Sequence, residues 1–295
     1  MLRRRISSVL TALVIAAATP VLLPAQNASA AACSSYPSWV AGKAYVTGDI
    51  VRYTDGKAYI AEHDNPGYDP TISTWYWEPY ACDSGPGNPA AFVVSEAQFN
   101  QMFPNRNSFY SYSGLVTAMS AYPAFANTGS DTVKRQEAAA FLANVSHETG
   151  GLVHIVEQDT SNYPTYCDWN QPYGCPAGQA AYYGRGPIQL SWNFNYKAAG
   201  DALGIDLLGN PWLVQNDAAV AWKTALWYWN TQSGPGTMTG HNAMVNGAGF
   251  GQTIRSINGS LECDGKNPAQ VQSRVNNYQR FVGILGTSPG GNLYC

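Results

Sequence analysis

The chain has 295 residues, room for one large domain or two unequal ones. Charged residues make up only 12%, about half the ~25% of an ordinary soluble domain. The 45% hydrophobic fraction is enough for a core and excludes a disordered chain. A formal charge of −3 excludes a phosphate backbone as partner, so nucleic acid is not expected. The surface this composition leaves, rich in Tyr, Trp, Asn and Gln, suits a neutral, hydroxylated ligand.

The N-terminus sets the compartment. Arg3, Arg4 and Arg5 precede an apolar run from Val9 to Leu23, and Ala28-Ser29-Ala30 offers small residues for cleavage. Residues 1–30 therefore read as a secretory signal peptide. A membrane span needs ~20 apolar residues, and this run is shorter and broken by Pro20 and Pro24. Cleavage after Ala30 leaves −6 over 265 residues, and the mature protein is expected to be extracellular, with no membrane attachment. Six cysteines in an exported chain read as three disulfides, although six allow 15 pairings. Chain position suggests Cys33 with Cys82, Cys167 with Cys175 and Cys263 with Cys295.

Residues 31–82 form a small unit bracketed by Cys33 and Cys82. Its β-prone runs are 44–46, 50–53 and 58–61, with Asp55-Gly56 as a hairpin turn between the last two. About 50 residues give a marginal core, so a terminal staple is expected. Trp75, Tyr76 and Trp77 are expected to alternate on a strand, with Trp75 and Trp77 pointing one way. One or two of the three are expected as surface platforms, the remainder as core. Residues 83–89, Asp-Ser-Gly-Pro-Gly-Asn-Pro, form a short stiffened linker.

Beyond the linker the period becomes helical. Ser95 and Gln98 make a capping box for a helix starting near Glu96. Apolar stripes follow at Ala138, Phe141, Leu142 and Val145 and at Trp222, Ala225, Leu226 and Trp229. Asn267-Pro268 opens a last helix with Val271, Val275, Tyr278 and Val282 on its stripe, closed by Gly286. Residues 90–295 thus read as one mainly helical domain with long Gly/Tyr/Asn loops.

The stripe through Phe141 and Val145 lands on Glu148. A carboxylate on a buried helix face is costly unless it has a task or a partner, and partial burial favours its protonated form, as a general acid requires. Gly150-Gly151 ends that helix, so the chain can turn and bring Glu157 back across a cleft. Two carboxylates facing across a sugar site make a glycosidase pair. His147-Glu148 does not continue to a zinc motif, because Gly151 stands where the second His would be. No metal and no cofactor is expected. The glycines around Arg185 permit close backbone approach, and Ser191 and Asn195, four apart, can share a face.

Three segments, Phe141 to Gly151 (FLANVSHETGG), Tyr182 to Asn195 (YYGRGPIQLSWNFN) and Ile257 to Cys263 (INGSLEC), resemble glycoside hydrolase family 19, the chitinases. The resemblance spans residues 90–295. Residues 36–82 resemble a chitin-binding module of carbohydrate-binding family 5/12 through Tyr45, Gly48-Asp49, Val51, Tyr53, Tyr59 and Ala61; related modules often carry an aromatic where this chain has His63. The resemblance implies a two-lobed, lysozyme-like helical domain preceded by a small disulfide-stapled all-β module. It implies Glu148 as general acid, Glu157 as general base and Ser191 as holder of the attacking water. Gln189, Asn195, Tyr166 and Asn258 match substrate-contacting positions. Glu262 and Arg274, grouped with that binding set, match an ion-paired couple supporting the acid. The family's disulfides fit Cys167 with Cys175 and Cys263 with Cys295. The expected protein is a secreted, monomeric endochitinase acting with inversion on chitin and chitin oligosaccharides. The alternatives are a lysozyme-like hydrolase of peptidoglycan, disfavoured because that wall and this chain are both anionic, and a non-catalytic chitin-binding lectin.

Overall fold

The computed structural model describes residues 36–54, 57–73, 75–80 and 92–295. The expected signal peptide, the Cys33–Cys82 bridge, the Asp55-Gly56 turn and the linker lie outside the described residues. The chain divides into two compact units, Met1–Asn88 and Pro89–Cys295.

The first unit holds an antiparallel sheet in the order β1 (Ile50–Arg52), β2 (Ala58–Ala61), β3 (Trp77–Tyr80). Val51 pairs with Tyr59, and Ala61 with Trp77. The alternation buries Val51, Tyr59 and Trp77 with Tyr45 and Ala61, and Trp39, Tyr53 and Tyr76 close over them. Tyr45 makes an isolated bridge to Asn65 instead of a strand, because turns at Gly42 and Gly48, both at positive φ, confine it.

One expectation is overturned here. Trp75 and Trp77 do not share a direction, because the strand starts at Trp77 and Trp75 precedes it in a turn. Trp77 is buried, with Nε1 donating to the Tyr68 carbonyl at 2.7 Å. The core takes it, and it leaves the set of surface platforms. Trp75 is 67% exposed and stacks on His63 with centroids 4.4 Å apart.

The second unit is built on α1 (Glu96–Met102), α2 (Tyr112–Met119), α3 (Asp131–Thr149), α4 (Asn193–Leu203), α5 (Leu213–Asn216), α6 (Ala218–Thr231), α7 (Gly240–Val245), α8 (Phe250–Glu262) and α9 (Pro268–Ile284). The Ser95/Gln98 capping box forms as expected. Helix α3 is the axis of the unit. Ala138 to Val145 are all buried, so its apolar surface runs all round rather than on one stripe. It packs on α9, α7 and α8. Helix α6 buries Trp222, Ala225, Leu226 and Trp229 and packs on α2. The Cys167–Cys175 and Cys263–Cys295 bridges are both formed.

An acid in the first half of α3 is buried away from any cleft. Glu137 is fully buried, accepts from Trp229 Nε1 at 3.0 Å and from the Ala126 amide at 3.0 Å, and meets His241 Nδ1 at 2.6 Å. The hydrogen bond to Glu137 raises the His241 pKa above its ordinary value. A raised imidazole adds stability that is complete below its unfolded pKa and disappears as pH rises through the folded value. His241→Ala is therefore expected to cost about 1–2 kcal/mol at mildly acidic pH. Thermal denaturation of both proteins from acid to alkaline pH should show the gap narrowing as pH rises above the ordinary imidazole range.

Candidate active site

A cleft of about 510 Å³ opens in the second unit. Its walls bring together Glu148, Glu157, Ser191, Gln189, Tyr166, Asn195 and Asn258. These come from five places in the chain: the end of α3, the loop beyond it, the turn before α4, the first turn of α4, and α8.

Glu148 sits in the last turn of α3, where Gly150 takes a left-handed conformation (φ 62°) and stops the helix. Its side chain is 18% exposed and accepts from Arg274 Nη2. Arg274, on α9, is buried at 1% exposure. It donates from Nε and Nη2 to the two oxygens of Glu262 at 2.8 Å each, and from Nη1 to Asn144 Oδ1 at 3.1 Å. Asn258 Nδ2 donates to Glu262 Oε1 at 2.7 Å, from a kink in α8 where its φ/ψ of −142°/27° leaves the helix. Burial pushes the Glu262 carboxyl up, but the Arg274 hydrogen bonds and charge outweigh this and hold its pKa below the ordinary value. Burial likewise opposes the Arg274 charge, and Glu148 and Glu262 overcome it. Burial and the Arg274 charge lower the pKa of neighbouring His147.

Glu157 is held differently, by neutral donors. Asn162 Nδ2 and Tyr166 Oη both donate to Oε1, at 3.0 and 2.9 Å, and the Gly184 amide donates to Oε2 at 3.3 Å. Burial, then the bond to Glu157, raises the Tyr166 pKa, which keeps that hydroxyl a donor. A Cβ on Gly184 would lie 2.8 Å from Gln189 Oε1 and 3.4 Å from Ser191 Oγ, so a larger residue there would displace the Gln189 side chain. Ser191 Oγ donates to the Gln189 carbonyl at 2.8 Å, and Asn195 Nδ2 to the Ser191 carbonyl at 2.9 Å. So Asn195 braces the turn that carries Ser191. That turn is strained, with Gln189 at φ 51° and Trp192 at φ 75°.

Glu262 and Arg274 form the expected ion pair, at 2.8 Å, and Arg274 also reaches Glu148. Grouping them with the binding set is corrected, because they are buried behind the wall, at 3% and 1% exposure, and do not line the cleft. They hold other residues in place. Sequence reasoning also missed Asn162 and the Gly184 amide, whose contacts depend on a loop path that no periodicity encodes. It missed Trp192, 37% exposed on the cleft wall, although this aromatic directly follows Ser191. Among the described residues, no group of three or more His, Cys, Asp or Glu side chains is placed to hold a metal ion.

The family model for class I chitinases, glycoside hydrolase family 19, matches residues 93–295. The chain belongs to this family. Chitinase 6 of Oryza sativa subsp. japonica is 47% identical over 188 residues, 63% of this chain and 66% of the rice protein. Endochitinase A of Zea mays is 44% identical over 212 residues, 70% of this chain and 71% of the maize protein. Among solved structures, a bacterial family 19 chitinase is 80% identical with TM-score 0.68, covering 69% of this chain and 100% of that one. Chitinase C from Streptomyces griseus HUT6037 is 76% identical with TM-score 0.69, covering 69% of this chain and 98% of that one. The fold is thus the mainly helical, lysozyme-like fold of family 19, and the chain is a glycoside hydrolase.

Removing Arg274 strands a buried Glu262 carboxylate. Arg274→Ala is expected to cost about 3–5 kcal/mol of unfolding free energy near neutral pH. A carboxyl depressed in the folded state contributes stability above its unfolded pKa and loses it as pH falls through the folded one. The penalty should therefore shrink in acid, where Glu262 protonates, which urea denaturation over a pH series will show.

Proposed function

We propose that the second unit is an endochitinase that cleaves β-1,4 links between N-acetylglucosamine units with inversion. The observation that carries this is the pair of carboxylates from separate segments on one cleft, each held by different chemistry. Glu148 is the proton carrier. Arg274 stands beside it, but Glu262 takes a two-pronged share of that guanidinium, so Glu148 alone does not have to balance the cation. Glu148 protonates the leaving oxygen while Glu157 draws a proton from a water on the far face of the ring. Ser191 and the Gly184–Ser191 turn beside Glu157 give that water its place. The cleft wall mixes polar side chains with Val156, Ile188, Leu190, Trp192, Ile257 and Leu261, which suits a sugar chain with polar edges and apolar ring faces.

Glu148→Gln keeps the shape and most hydrogen bonds but carries no proton to give. It should lower turnover of a chitin hexamer by roughly 10²–10⁴-fold with little change in melting temperature. In the parent enzyme, proton NMR of the first products should show the α-anomer. Near-normal turnover in the variant would move the acid elsewhere, and an early excess of β-anomer would remove Glu157 as base.

The reading extends to the first unit as a chitin-binding module and to residues 1–30 as its export signal. Two stacked aromatic pairs support the module: Trp75 on His63, and Tyr68, 53% exposed, on Tyr76 with centroids 5.0 Å apart. Aromatic faces of this kind stack on sugar rings. A tethered binder raises local concentration at a surface without altering the cleft. Trp75→Ala, and more strongly deletion of residues 31–89, should weaken retention on chitin particles and hydrolysis of solid chitin. Rates on soluble oligomers should stay within about twofold, since tethering gives nothing to a dissolved substrate. Equal loss on both substrates would make the small unit part of the catalytic machinery.

A further inference from the structure

Arg185 is a buried guanidinium whose charge has no carboxylate partner among the described residues. It is fully buried, and no acid lies within ion-pair distance of it. Its Nε donates to Gln215 Oε1 at 2.6 Å. Its Nη1 donates to the Ala181 carbonyl and Tyr196 Oη at 2.7 Å each, and Nη2 has no hydrogen-bond partner. A buried cation without a counter-ion is expensive, and a fold keeps one where its geometry is needed.

The surroundings show what that geometry serves. The guanidinium carbon lies 3.6 Å from the centroid of the Tyr183 ring. On Tyr183 lies Tyr163, with centroids 3.6 Å apart and planes 11° from parallel. Tyr163 Oη donates to the Glu157 carbonyl at 3.0 Å, and its neighbour Asn162 donates to the Glu157 carboxylate. The backbone of Arg185 is the other half of the device. It pairs with Val156 on one side and with Leu190 on the other. Its neighbours add Glu157 N to the Gly184 carbonyl at 2.9 Å and Gly186 N to the Ile155 carbonyl at 2.8 Å. One residue's backbone therefore joins the segment carrying Glu157 to the turn carrying Ser191, and its side chain backs the Glu157 segment through Tyr183 and Tyr163.

We propose that Arg185 is a positioning residue: its guanidinium, stacked on Tyr183 and through it on Tyr163, holds Glu157 in register with Ser191 so that the attacking water lies between them. This rests on the reading of Glu157 as general base. Arg suits the position because its plane stacks on a ring while its fork reaches several acceptors, and Lys supplies the charge without the plane. Small displacements matter here, since a misplacement of ~1 Å can cost ~10²-fold in rate.

The test is a double-mutant cycle read as kcat and KM on chitin hexamer. Arg185→Lys and Tyr163→Leu are expected to lower kcat by roughly 10–100-fold with KM within about twofold. Tyr163→Phe, which keeps the stack, should restore most of the rate lost in Tyr163→Leu. If Arg185→Lys does not fold, Tyr163→Leu carries the test, because Tyr163 is only partly buried. In a Glu157→Ala background the residual kcat should be unchanged by adding Tyr163→Leu, because a positioning residue acts through the group it positions. An additive loss in that background overturns the proposal and leaves Glu157 as base. Full turnover in Glu157→Ala alone overturns the base reading, and the proposal with it. Parent-like kcat in Arg185→Lys also overturns the proposal.

Discussion

The catalytic unit is organised around one buried cation. The Arg274 guanidinium spends four hydrogen bonds on three side chains: two on Glu262, one on Asn144 and one on Glu148. Asn144 and Glu148 lie one turn apart on α3, Glu262 ends α8, and Arg274 itself is on α9. The planar fork thus ties three helices together at the base of the cleft. Charge and desolvation fix the choice of residues. The Arg274 charge is matched by an anion, Glu262, which accepts with two-pronged geometry. The Asn144 amide carries the network on to Thr253 Oγ1 at 3.0 Å. Glu148, at the exposed end, meets the cleft, as does Asn258, which donates to Glu262.

The opposite wall has no such anchor. Between Thr149 and Asn193 the chain makes only short 3₁₀ turns, at Thr160–Tyr166 and Gln179–Ala181. It is held by isolated bridges, by the Cys167–Cys175 disulfide and by aromatic stacking. Asn193 fastens the disulfide loop, donating to the carbonyls of Asp168 and Gly174 and accepting from the Asp168 amide. Where helix packing cannot fix a position, a web of neutral hydrogen bonds does so.

The parts of this architecture carried by periodicity were legible in the sequence. Phe141, Leu142 and Val145, the Trp222–Trp229 stripe and the Val271–Val282 stripe are all core, and Ser95 and Asn267 cap the helices they were expected to cap. Glu148 was legible because an acid on an apolar stripe violates the pattern. Glu157 was not legible from pattern alone; its place depends on a turn at Gly150-Gly151 and a bridge to Arg185 formed across 29 residues of chain. The direction of Trp77 was misread for a related reason. Period-2 reasoning assumes that a strand is continuous, and β3 begins only at Trp77, so Trp75 is free to face outward. Arg185 escaped notice because its charge has no partner in the sequence pattern or in space.

The two buried arginines give the two carboxylates different surroundings. Glu148 faces a cation that is already shared with Glu262, on a rigid three-helix junction. Glu157 faces only neutral donors, on a loop that a second cation braces from behind without touching the carboxylate. One arginine acts through charge that is neutralised locally; the other acts through shape, with its charge spread over a ring face, carbonyls and an amide. Both are shielded from solvent, so added salt has little access to either. What distinguishes the two carboxylates in this cleft is therefore the kind of partner each is given. Arg274 and Glu262, which hold Glu148, are buried behind the cleft, whereas Tyr166 and Gly184, which hold Glu157, are part of its wall, so a change behind Glu148 leaves the cleft surface intact and a change beside Glu157 does not.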